Sequence, residues 1–141
     1  MIRGKFMNRR KSREQAFILI FERSISHENT ASIIDAAETS ENVRIEEFAD
    51  HVASGVESKE KVLDEAITKY IRGWTMNRLS KVSLSLLRLA LYEMKFEPDI
   101  PVSVSINEAV NLAKKYGGAE DAPFINGVLG SAAKDIGEKD A

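Results

Sequence analysis

Four cations crowd the start of NRRKSREQAFILIFERS (8–24), a stretch that then turns apolar: Arg9, Arg10, Lys11 and Arg13. An arginine guanidinium is a rigid fork that grips phosphate oxygens and also stacks on bases. On a helix, Arg9 and Arg13 lie one turn apart on one face, with Arg10 beside them. The wider charge distribution matches. Residues 1–13 carry six bases and no acid, and the remainder of the 141-residue chain holds 14 bases and 22 acids, so a +6 end sits on a −8 body. Screening beyond roughly 8–10 Å keeps that field local. A mildly acidic protein can therefore still hold an anionic polymer, RNA above all, at this end. The alternative is a merely solvated basic terminus.

A second candidate lies in APFINGVLGSAAK (122–134). Ile125 and Leu129 centre the apolar stripe of this helix, and Phe124 and Asn126 sit about 100° to either side of it. An off-stripe phenylalanine near a helix start offers a stacking surface for an unpaired base, and an amide reads base edges. The competing reading is a ring plugged against a neighbouring helix. GVLG (127–130) has the spacing of a KH-type backbone clamp, but that module needs a β-sheet that this sequence lacks. Its glycines then read as sites of close helix packing.

Catalytic and metal-binding patterns do not develop. His27 and His51 stand alone, without the i,i+4 pairing of a helical metal site, and Glu46, Glu47 and Asp50 read as a solvated helix face. There is no phosphate loop and no dinucleotide fingerprint. The absence of cysteine removes disulfides, thiolate metal sites and thiol nucleophiles. No cofactor or metal is expected. The longest apolar run, 16–21, is too short to cross a bilayer, so the expectation is a soluble, cytoplasmic protein, in keeping with the lack of cysteine.

The elements that must position these groups are helices. Period-two alternation is nearly absent outside PVSVSI (101–106), which reads as a helix start. A first helix over 8–24 puts Arg13, Ala16, Phe17, Ile20, Phe21 and Ser24 on one face. A second over 30–38 turns Ile33, Ile34 and Ala37 inward. Residues 44–71 carry a single apolar stripe, as one long helix or two collinear ones, with Gly55 loosening the middle and Lys59 in an apolar slot. RGWTMNRLS (72–80) is a joint with Gly73 as terminator. KVSLSLLRLALYEMKF (81–96) is apolar almost all round and should be central. A further helix from Val102 stops at Gly117 and Gly118, and the last begins near Pro123. The result is an all-α, single-domain bundle of about six to seven helices over 8–136. A flexible basic tail over 1–7 precedes it and a short polar tail over 137–141 follows.

RRKSREQAFILIF, LLRLALYEM, PVSVSINEAVNLAKKYGG and FINGVLGSAAK, in that order and near that spacing, resemble the NusB family of transcription antitermination factors over about residues 8–135. The resemblance implies a non-catalytic, all-helical protein. Such a protein binds boxA, a short single-stranded element of nascent ribosomal RNA, together with NusE, a small-subunit ribosomal protein, and joins an antitermination complex on RNA polymerase. Carried over by position, the RNA contacts are Arg9, Arg10, Lys11, Arg13, Phe124 and Asn126, and the NusE face draws on Phe21, Lys81, Ser83 and Arg88. Arg88 reads equally well as half of a buried pair with an acid such as Glu108. The sequence departs from the family at Phe21, where tyrosine is common, and at Ser83, where some relatives carry an acid. The spacing just before the last helix also differs. Some relatives self-associate, so a homodimer paired through its central helices is the alternative. Similar domains occur fused to RNA cytosine methyltransferases, whose chemistry needs a cofactor domain and a cysteine, and this chain has neither.

Overall fold

The computed structural model describes residues 8–137. The tail expected over 1–7, with Arg3 and Lys5, and residues 138–141 of the C-terminal tail lie outside the described residues. Seven α-helices follow in order: α1 (Arg9–Ser26), α2 (Thr30–Ser40), α3 (Glu47–Ser58), α4 (Glu60–Tyr70), α5 (Lys81–Phe96), α6 (Val102–Tyr116) and α7 (Asp121–Ile136). A 3-10 turn, Met76–Arg78, stands between α4 and α5, and no strand occurs among the described residues.

Each boundary has a local cause. The Asn8 side chain accepts the Lys11 N–H at 2.9 Å and so caps one of the orphan donors that open α1. His27 closes the same helix in the left-handed region, φ 64°, with its N–H donating to the Arg23 carbonyl. The stripe over 44–71 divides at Lys59, whose φ and ψ of −108° and 13° are not helical. The loosening expected at Gly55 does not occur, since α3 continues through it to Ser58. α7 begins two residues ahead of Pro123, which sits in the first turn where no helical N–H partner is needed.

α5 is the hub, touching α1, α3, α4, α6 and α7. Leu84, Leu86, Leu87, Leu89, Ala90, Leu91 and Met94 are buried on every side of it. Only Lys81 and Lys95 of α5 are exposed. The glycines reverse their expected parts. A Cβ on Gly55 would collide with the Tyr92 ring, so Gly55 is where α3 and α5 approach closely. A Cβ on Gly127 or Gly130 would meet nothing within 4 Å, so neither serves close packing. Glu46 also departs from the solvated face expected of it. It is buried, its N–H donates to Gln15 Oε1 at 2.8 Å, and Gln15 Nε2 donates in turn to the Arg44 carbonyl at 2.7 Å, which pins the α2–α3 loop to α1.

Candidate nucleic-acid interface

The opening turn of α1 presents Arg9, Arg10 and Lys11 to solvent beside the helix N-terminus, whose unsatisfied N–H groups favour anions. The Arg9 guanidinium lies 4.1 Å above the centre of the Phe48 ring. Arg10 makes a two-pronged pair with Glu108 on α6, at 3.1 and 2.9 Å, while its side chain stays 70% exposed. Lys11 approaches Glu14 at 3.7 Å. The Glu14 carboxylate also accepts hydrogen bonds from Lys115 and Tyr116 of α6. Those two bonds, Lys115 first, together with the charges of Lys115 and Lys11, hold the Glu14 carboxyl below the usual glutamate range despite partial burial. The basic turn is thus arranged by acids that a phosphate would have to compete with.

Arg13 does not belong to this surface, which corrects its place among the RNA contacts. Its side chain is 4% exposed and donates to both oxygens of Glu93, at 2.7 and 3.1 Å. Glu93 is fully buried on α5, and the Ser105 hydroxyl donates to it at 2.8 Å. Arg13 sits on the core-facing stripe of α1, and that position decides its role.

Phe124 is half-buried and Asn126 exposed at the start of α7. The Phe124 ring neither plugs the core nor stands free: one side packs against core residues, and the other meets Trp74 with centroids 5.9 Å apart and planes at 57°. Asp121 fixes this corner by accepting the Ser83 hydroxyl at 3.0 Å and the Gly118 N–H at 2.8 Å. The basic turn and Phe124 do not form one pocket. Arg10 reaches the middle of α6 at Glu108, while Phe124 lies on α7, which follows the C-terminal end of α6.

The four residues expected on a protein-binding face divide. Phe21 is half-buried against Phe17, at 5.9 Å between centroids, and exposed Ile18 and Ile25 share its helix. Lys81 is exposed and shares a small cleft of about 90 Å³ with Arg23, His27, Glu60 and Arg88. Arg88 is a structural pair, but with Asp64, at 2.8 Å through both prongs, and with Glu60 at 3.6 Å, whereas Glu108 is held by Arg10. Ser83 is 1% exposed and tied to Asp121, so it is not on that face.

Trp74, in the 72–80 joint, belongs to the same corner as Phe124. It is 49% exposed, and the Arg78 guanidinium lies 5.3 Å from its ring centre. A lone tryptophan in a short polar connection between Arg72 and Arg78 was the available signal. His51 is occupied by Glu97 at 2.8 Å. No group of three metal-ligating side chains occurs among the described residues, and no described helix is long and apolar enough to cross a membrane.

The class is an all-helical bundle with an exposed basic helix start and a flanking aromatic corner. Comparison with known proteins specifies it. The NusB family model matches residues 10–134. A transcription antitermination protein NusB of Clostridium botulinum is 43% identical, covering 88% of this chain and 98% of that protein. The Thermotoga maritima NusB crystal structure superposes with a TM-score of 0.80 at 33% identity, over 92% of both chains. A chain in the crystal structure of a plectonemic RNA supercoil does so at 0.82 and 26% identity, over 92% of this chain and 96% of that one. The chain belongs to the NusB family, whose curated members are antitermination proteins and not enzymes.

Proposed function

We propose that this protein is a cytoplasmic transcription antitermination factor that binds boxA-type single-stranded RNA of nascent ribosomal transcripts together with NusE, and so supports antitermination by RNA polymerase. Arg9, Arg10 and Lys11 neutralise phosphates, while Phe124 stacks on a base and Asn126 meets a base edge. The observation that carries the reading is that Arg9, Arg10 and Lys11 stand exposed on the opening turn of α1, while Phe124 is half-exposed and Asn126 exposed near the start of α7. The name of the C. botulinum relative supports the regulatory role. Phe21, with Ile18 and Ile25 on the same helix and Lys81 nearby, is the face assigned to NusE. Arg88 supports that face from behind while paired to Asp64. The acidic remainder of the chain keeps non-specific RNA binding weak and makes the partner necessary for tight binding.

The test is a gel-shift titration of boxA-type RNA against a scrambled sequence, with and without the cognate NusE. The expected outcome is preference for boxA-type RNA, tightened by NusE. Equal affinity for both RNAs with NusE present overturns the reading. RNA-insensitive dimers that bind neither RNA would establish the homodimer module instead.

A further inference from the structure

The corner around Trp74 holds two clefts that differ in charge. One, of about 280 Å³, is lined by Arg78 and Ser83 and by two acids, Glu120 and Asp121. The other, of about 320 Å³, lies across the Trp74–Phe124 pair and is lined by Tyr70, Arg72, Gly127 and Ser131. Arg72 is the one charged residue lining this second cleft, and it is exposed with no ion-pair partner among the described residues. The Tyr70 ring is fixed by its hydroxyl donating to Asp135 at 2.6 Å. The cleft thus offers three aromatic rings and a cation, which suits a flat group attached to an anion.

Gly127 supplies an independent observation. A glycine inside a helix is less stable than alanine, and at Gly127 no neighbouring atom requires it, since a Cβ would meet nothing within 4 Å. Its left-handed freedom is not used either, because it lies mid-helix in α7. What the missing side chain does is keep the floor of the second cleft open beside Phe124.

We propose that this cleft takes one unpaired base of the RNA, stacked on Trp74, with Arg72 at the adjoining phosphate and Gly127 leaving the room. The proposal rests on the RNA-binding reading above and extends the base-binding surface from Phe124 to a second ring.

Trp74 is the protein's single tryptophan, so its emission reports on the cleft directly. A boxA-type single-stranded oligonucleotide, end-labelled so that anisotropy reports binding, is titrated into the full chain with and without NusE, alongside the same sequence as a duplex. Quenching of Trp74 by the single strand and not by the duplex is expected. Trp74→Ala should weaken binding about five- to 150-fold, the range for loss of one stacked base, with the salt slope unchanged because no phosphate contact is lost. Gly127→Leu should weaken binding about tenfold while the melting temperature holds or rises, which a role in folding alone would not produce. Binding of the labelled strand with unaltered Trp74 emission and unaltered affinity in both variants overturns the inference and leaves the RNA-binding reading standing. Equal quenching by the duplex overturns the unpaired-base assignment. Failure of the wild-type chain to bind any RNA, with or without NusE, removes both.

Discussion

The opening turns of α1 and α7 present opposite chemistry. The α1 turn is cationic, and its side chains are already held by carboxylates: Arg10 by Glu108, Lys11 by Glu14. The α7 turn carries acids, Glu120 and Asp121, and contributes an aromatic ring packed on Trp74. Charge at the first end acts through exchange of ion partners and must weaken with salt. Stacking at the second end is nearly indifferent to salt. The difference teaches that one strand can be held by two separable mechanisms, and the substitutions below probe the residues that build each end.

The largest effect is expected from Arg13→Ala, which tests where the cationic end stops. It takes the arginine away from the buried Glu93 carboxylate, a loss of about 3–5 kcal/mol of stability, read as a lower urea midpoint. An Arg13→Ala protein of normal stability with weakened RNA binding would return Arg13 to the surface patch. Phe124→Ala comes next. It should cost about 1–3 kcal/mol of RNA affinity, with a lower urea midpoint because one side of the ring packs against the core. The smallest effect is that of Glu14→Gln. The Glu14 carboxyl titrates below its unfolded value near 4.3. Its contribution to stability is therefore present above about pH 4.3 and lost as pH falls through the depressed folded value. The stability gap between wild type and Glu14→Gln, followed by thermal melts across pH, should be open at neutral pH and close in acid. A gap that persists in strong acid would mean that the Lys115 and Tyr116 contacts are not what holds the carboxylate.

Where pattern carried the information, the sequence was readable. The apolar periodicity located α1, α2, α5 and α6 within a few residues, and the all-round apolar 81–96 segment is the buried hub. The same stripe placed Arg13 on the core face of α1, although its charge suggested the surface. Sequence could not show which acid, distant along the chain, meets which arginine. Arg88 finds Asp64 and Arg10 finds Glu108, because those pairings depend on helix packing and not on spacing along the chain. Glycines were misread for the same reason. Gly55 is required by the Tyr92 ring of another helix, while Gly127 borders a cleft invisible in one dimension. Tyr92 shows the tightness of that contact: burial, reinforced by a hydrogen bond to Glu97 and its charge, pushes the phenol up to about 12.

The most direct test of two separable mechanisms is the salt dependence of boxA-type RNA affinity in three proteins: wild type, Phe124→Ala, and a variant with Arg9, Arg10 and Lys11 all changed to alanine. Single-strand binding loses about 0.7 log units per tenfold salt for each neutralised phosphate. The triple variant should therefore flatten the slope by roughly 2, while Phe124→Ala shifts the line downward in parallel. A triple variant that keeps the wild-type slope, or a Phe124→Ala line that flattens with it, would contradict the account.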